Sequence, residues 1–207
     1  MTTAHSSARQ RLLEVASDLF YQEGIRAIGV DTIVEQSGVG KATLYRHFPT
    51  KDDLIAAYLE EEDRQHWQWF EEVIAPYEGS PKAQLLAWFE ACAQRLTEQG
   101  FRGCPFLNAL AEIAEADHPA HQRAVEHESA LRRRLVQLSQ RAGARDPEQL
   151  ADQLLLVTNG ALTSAPLFGP AGPAVQLKTI AAHLIDLQLE SAQAIIPTGV
   201  EIQRGLY

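Results

Sequence analysis

The chain has 207 residues, 45% of them apolar and 22% charged, the balance of a globular protein with ample material for a core. Its net charge is −9, no apolar run reaches the length of a membrane span, and the first seven residues lack the regions of a signal peptide. Two cysteines, Cys92 and Cys104, are too few for a disulfide framework, so a reducing cytoplasm is the expected setting.

Apolar residues recur at helical spacing almost throughout, and alternating runs of the strand type are missing. A first helix is expected over residues 7–23, with Leu12, Val15, Ala16, Leu19 and Phe20 on one face and Gly24 as its stop. A second follows over 31–36 and a third over 41–47, ending ahead of Pro49. A fourth opens at Thr50-Lys51-Asp52-Asp53, close to a capping box, and runs to residue 74. Its first half offers Leu54, Ile55, Tyr58 and Leu59 to a small N-terminal domain, and its second half offers Trp67, Phe70, Val73 and Ile74 to a larger one. A helix shared in this way is a lever between the two.

The fifth helix starts at Ser80-Pro81, carries Leu85, Phe89, Cys92 and Leu96, and is expected to end at Gly100. A short sixth runs from Cys104-Pro105 to residue 114. The seventh follows the turn Asp117-His118-Pro119 and buries Leu131, Leu135 and Leu138 before Gly143. Asp146-Pro147-Glu148 caps the eighth, which is expected to stop near Ala165 at Pro166. A ninth covers 174–195, with a loosely held tail after Pro197. The fold class expected is all-α, about nine helices, divided into a domain at 1–50 and a larger one at 51–207.

Function is most legible at Gln36-Ser37-Gly38-Val39-Gly40-Lys41-Ala42-Thr43-Leu44-Tyr45-Arg46-His47-Phe48. Two short helices joined by a tight glycine turn form a helix-turn-helix, and its second helix carries Lys41, Thr43, Tyr45 and His47. All four donate hydrogen bonds of the kind that phosphates and base edges accept. Val39, Leu44 and Phe48 are read as core.

The ordered pattern Gly-Val-x-Lys-x-Thr-Leu-Tyr-x-His-Phe-x-x-Lys-x-x-Leu resembles the TetR family of transcriptional repressors. So do Arg11-Leu12-Leu13-Glu14-Val15-Ala16, Leu19-Phe20, Gly24 and Asp31-Thr32-Ile33-Val34. The resemblance covers roughly residues 9–55 and implies that the third helix enters the major groove of an operator. The matching positions make Gly40, Lys41, Ala42, Thr43, Tyr45, Arg46, His47 and Lys51 the candidate DNA contacts, with Lys51 on a phosphate at the start of the fourth helix. An ion pair on the helix surface would explain Arg46 equally well.

Where the family often has Ser or Thr as N-caps, this chain has Gly29 and Gly40, weaker caps without a hydroxyl for phosphate. Through residue 51 the chain holds six basic and five acidic residues, a net +1. The remaining 12 basic and 22 acidic residues give −10. Fields are screened within about 8 Å at physiological salt, so the negative total does not decide DNA binding.

The eighth and ninth helices are apolar on two sides and so must be buried on two sides. Leu150, Leu154, Val157 and Ala161, with Ile180, Leu184 and Leu187, are therefore expected at a two-fold homodimer interface. The resemblance also implies a ligand chamber among helices four to eight. His66, Trp67, Phe70, Trp88, Phe89, Cys92, Phe106, Asn108, Leu110 and Phe168 are its candidate lining, and the effector is unidentified. Cys104 at a helix N-cap is a candidate redox sensor, because a helix dipole lowers a thiol pKa. Asp117, His118, His121 and Cys104 do not share one face, so no metal is expected, nor any cofactor.

No nucleophile–base spacing, phosphate loop or metal motif favours an enzyme. The expected function is a homodimeric DNA-binding repressor released by a small molecule, without membrane association. The alternatives are a repressor sensing oxidants through Cys104 and, more remotely, an enzyme or a helical interaction protein that does not bind DNA.

Overall fold

A computed structural model describes residues 7–193. Among them are nine α-helices and no strand. The last residues assigned to the ninth helix, 194–195, and the tail after Pro197 lie outside the described residues. Among the described residues no helix is long and apolar enough to cross a membrane.

The head is built from α1 (Ala8–Glu23), α2 (Val30–Ser37) and α3 (Lys41–His47). Ser7 caps α1 by accepting the Gln10 N–H, and Gly24 ends it at φ 98°, a conformation open to glycine but strained for other residues. Gly38 makes the turn into α3 at φ 64°. Its core is Leu12, Ala16, Phe20, Ile33, Val39, Leu44 and Phe48, all buried, as expected for the last three.

The lever helix is α4 (Lys51–Ile74). Thr50 and Asp53 complete a capping box: the Thr50 hydroxyl accepts the Asp53 N–H while the Asp53 carboxylate accepts the Thr50 N–H. Leu54, Ile55, Tyr58 and Leu59 join the head core, and Phe70 and Ile74 join a second core.

That second core is enclosed by α5 (Pro81–Arg95), α7 (Pro119–Arg141), α8 (Pro147–Phe168) and α9 (Leu177–Gln193). The short α6 (Pro105–Glu112) belongs instead with the head, where Phe106, Ala109 and Ile113 extend the core of α1–α4. The head core therefore does not close at residue 50.

Two boundaries differ from expectation. The fifth helix stops at Arg95 rather than Gly100, giving way to tight turns in which Thr97 and Glu98 bond three residues back. The eighth passes through Pro166 to Phe168. A proline in the last turn removes one N–H, and the Gly169 N–H still reaches the Ala165 carbonyl and closes the helix.

The expected subunit interface also needs correction. Leu150, Leu154 and Ala161 are buried in this chain's own core, and Val157 and Leu184 pack against it. The apolar surface left open on α8, α9 and the short turn Pro173–Gln176 between them carries Leu156, Leu167, Phe168, Val175, Ile180 and Leu187. Only Ile180 and Leu187 of the expected set belong to it. Both sides of α8 are apolar, and periodicity alone could not say which one its own domain takes.

Candidate nucleic-acid interface and internal chamber

Burial of Leu44 and Phe48 fixes the phase of α3 and turns Lys41, Ala42, Tyr45 and Arg46 outward. Thr43 and His47 lie half-buried beside them. Gly40 precedes the helix in extended conformation with open space around its α-carbon. Of the eight expected contacts, four are thus exposed on α3, two are half-buried and Gly40 stands at its start. Lys41 is tethered there: its ammonium donates to the Asp31 carboxylate at 2.6 Å, which raises the lysine pKa.

Lys51 departs from expectation. Its ammonium turns back under the head, donates to the Ile25 carbonyl at 2.6 Å and lies 5.8 Å from the centre of the Phe20 ring. Burial lowers its pKa. The carbonyl left open where α1 gives way to the next turn holds this side chain.

Behind the head lies a cavity of about 250 Å³. Four helices each give it one stripe: Glu62, His66 and Trp69 from α4; Trp88, Cys92 and Arg95 from α5; His127, Glu128 and Leu131 from α7; Thr158, Asn159 and Leu162 from α8. Phe101 and the segment from Gly103 to Phe106 complete it.

His66, Trp88, Cys92 and Phe106 were expected in this lining; the other six candidates lie elsewhere. Phe70 and Phe89 are fully buried in the core, and the Trp67 indole donates to Asp63 at 3.0 Å. Asn108 faces an outer groove, Leu110 packs on the head, and Phe168 is 63% exposed. Aromatic or polar type alone does not select the lining. Helical phase was the usable signal, because Glu62, His66 and Trp69 stand at i, i+4 and i+7.

The chamber is unusual in its polar atoms. His66 Nε2, Trp88 Nε1 and Asn159 Oδ1 are buried and have no hydrogen-bond partner among the described residues. Burial, with the nearby His127 and Arg95, pushes the His66 pKa down to about 3, so its ring is neutral at physiological pH. Burial raises the Glu62 carboxyl.

Cys104 is a second correction. It is 9% exposed, and burial pushes its thiol up to about 12 although two backbone N–H groups of α6 favour thiolate. Desolvation outweighs the helix terminus, and the physical case for a thiolate sensor falls. His118, considered for metal, uses Nδ1 to accept the Ala120 N–H and sets Nε2 3.3 Å from Asp52.

Contacts between head and chamber escaped the sequence reading entirely. Glu112, at the end of α6, accepts the Ile25 N–H at 3.0 Å and the Arg26 N–H at 2.7 Å. The Tyr21 hydroxyl donates to the Gly103 carbonyl and accepts the Arg102 N–H. His127 bonds Asp63 of α4 at 2.6 Å and stacks flat on Phe106, ring centres 3.7 Å apart.

Two family models divide the chain between them: bacterial regulatory proteins of the tetR family over residues 12–58, and the tetracyclin repressor-like C-terminal domain over 81–180. A crystal structure of a TetR-family transcriptional regulator from Streptomyces coelicolor is 32% identical, with a TM-score of 0.80. The match covers 89% of this chain and 95% of that one. The chain belongs to the TetR family.

A TetR-type regulator from Streptomyces avermitilis agrees, at 31% identity and a TM-score of 0.76 over 91% of this chain and 99% of that one. An HTH-type transcriptional regulator of Staphylococcus aureus is 48% identical over 46 residues, which is 22% of this chain and 25% of that protein. This chain thus spans about a quarter of the length of that curated relative. TetR-family proteins are DNA-binding transcriptional regulators that act as dimers, and they are not enzymes. As a member, this chain is a helix-turn-helix transcriptional regulator.

Proposed function

We propose that this TetR-family protein is a cytoplasmic homodimeric repressor that leaves its operator when a small molecule enters the chamber. The observation that carries this reading is the double membership of α4. Its first half is buried in the head core, and its second half lines the cavity through Glu62, His66 and Trp69. A ligand that shifts the chamber end of a rigid helix also shifts the head, provided it binds the shifted state more tightly. The helix α6 gives a second route, since Phe106 at its start lines the cavity and Glu112 at its end holds the α1–α2 turn.

On this reading α3 enters the major groove. Lys41 and Thr43 reach base edges or phosphate, Tyr45, His47 and Arg46 reach phosphate, and Ala42 and Gly40 allow close approach. Two heads must meet half-sites about 34–36 Å apart, which requires a dimer. The exposed leucines of α8 and Phe168, with Val175 and Ile180, supply the apolar face. Domain boundaries near 1–50 and 51–207 suit DNA reading and effector binding, with α6 bridging them.

A gel shift on DNA flanking its own gene tests the proposal. Specific, salt-sensitive binding by a dimer is expected, and no binding to any duplex at low salt sinks it.

A further inference from the structure

We infer that the chamber takes a small aromatic carboxylate bearing a ring hydroxyl or amino group, with its carboxylate on Arg95. This rests on the chamber being the effector site, and it adds the chemistry of the effector.

Size comes first. A cavity of about 250 Å³ falls below the usual range for drug-sized ligands, roughly 300–1,000 Å³, and suits one or two rings. Its walls are flat and aromatic at Trp69, Trp88, Phe101 and Phe106, drawn from three helices and a loop. Planar ligands stack on such faces.

Charge comes next. The guanidinium of Arg95 cannot shed its proton in a protein. It lies over the Trp69 ring, 4.7 Å from the centre, and pairs with no carboxylate within 4 Å among the described residues. The two acids of the lining are less available as cation anchors. Glu128 already accepts the Asn159 amide at 3.1 Å, and burial shifts Glu62 toward its neutral form. His66 stays uncharged. Arg95 is therefore the one arginine or lysine of the lining, and an anion answers it in the bidentate geometry that guanidinium favours.

The remaining polar atoms set the substituent. Asn159 gives its amide hydrogens to Glu128, so its Oδ1 is left to accept, and it has no donor among the described residues. A ring hydroxyl or amine supplies one. The Trp88 indole, only 1% exposed, holds an N–H with no acceptor among the described residues, which a second oxygen of the ligand can answer. A site built with buried unpaired groups rejects ligands that leave them unpaired.

The test is calorimetric titration of the full chain with 4-hydroxybenzoate, phenol and tyramine, alongside operator titration of the same samples. The acid is expected to bind at least about tenfold more tightly than phenol or tyramine, the scale of one charged hydrogen bond. Arg95→Gln should remove that preference, Arg95→Lys should keep part of it, and Trp88→Phe, which keeps an aromatic ring but removes the indole N–H, should weaken binding about threefold or more. Arg95 is exposed at a helix end, so both variants should keep the wild-type melting curve.

Tighter binding of tyramine would make Glu62 the anchor and overturn the inference, as would failure of all three probes to bind. If the acid binds and operator affinity does not change, the ligand class stands and release by effector fails. If no probe binds while the operator is still recognised, the regulator stands and the ligand class falls.

Discussion

The carboxylate of Glu112 accepts the backbone N–H of Arg26 at 2.7 Å, tying the end of α6 to the turn between α1 and α2. Its other oxygen takes the Ile25 N–H, while Lys51 holds the Ile25 carbonyl. One turn of the head is thereby gripped by two elements that continue toward the chamber.

Replacing Glu112 with Ala leaves two N–H groups without their charged acceptor. A loss of about 1 kcal/mol is expected, since the site is only partly buried. Hydrogen exchange should show faster exchange at the Ile25 and Arg26 amides, with operator affinity reduced and the α8 amides unchanged. Unaltered exchange at both residues would remove the latch from the account.

The two lysines of the motif should separate in salt titrations. Lys41→Ala should lower the salt slope of operator binding by about one, the mark of a lost phosphate contact. Lys51→Ala should leave the slope unchanged and lower thermal stability, because its ammonium serves the Ile25 carbonyl. Asp31→Asn, which frees Lys41, should tighten binding. Equal slope changes for both lysines would restore Lys51 to the interface.

This division marks how far the sequence could be read. The head was legible because its glycines, its capping box and the burial phase of Leu44 and Phe48 are local signals. The outward positions of Lys41, Ala42, Tyr45 and Arg46 follow from that phase. Lys51 was not legible: its partner, the Ile25 carbonyl, lies 26 residues away. The same holds for Glu112, whose partners are 86 and 87 residues distant. In the chamber, residue type misled where phase would have served, as Trp67 and Trp69 show. In α8 the two apolar faces were seen, but their assignment to core and open surface requires the fold.

Acid should destabilise the protein through His66. Its folded pKa of about 3 lies below the ordinary 6.5, so the unfolded chain binds the extra proton first. The stability contributed by keeping the ring neutral is full above pH 6.5 and is lost as pH falls toward 3. The limiting slope is about 1.4 kcal/mol per pH unit. Urea midpoints at pH 7 and pH 5 should therefore differ more for the wild type than for His66→Gln. An equal drop in both would assign the acid sensitivity to other groups.

Cys104 should resist alkylation. With the thiol pushed up to about 12 and 9% exposed, N-ethylmaleimide should label it far more slowly in native protein than in urea. Rapid native labelling, read by mass spectrometry, would return the redox sensor to consideration.

The open face of α8 and α9 is checked by Leu156→Glu and Leu167→Glu. A charge at either exposed leucine should yield monomers by light scattering, with the helical spectrum intact and operator binding lost. Dimers that persist in both variants would place the interface elsewhere.

The most direct measurement is fluorescence anisotropy of labelled duplexes that tile the DNA flanking the gene, titrated with the full chain at two salt concentrations. One duplex should bind at least about a thousandfold more tightly than random sequence, with a steep salt slope and a marked loss in a Lys41→Ala/Tyr45→Phe double variant. Binding no tighter than to random DNA across every flanking duplex, or affinity unchanged in the double variant, would contradict this expectation.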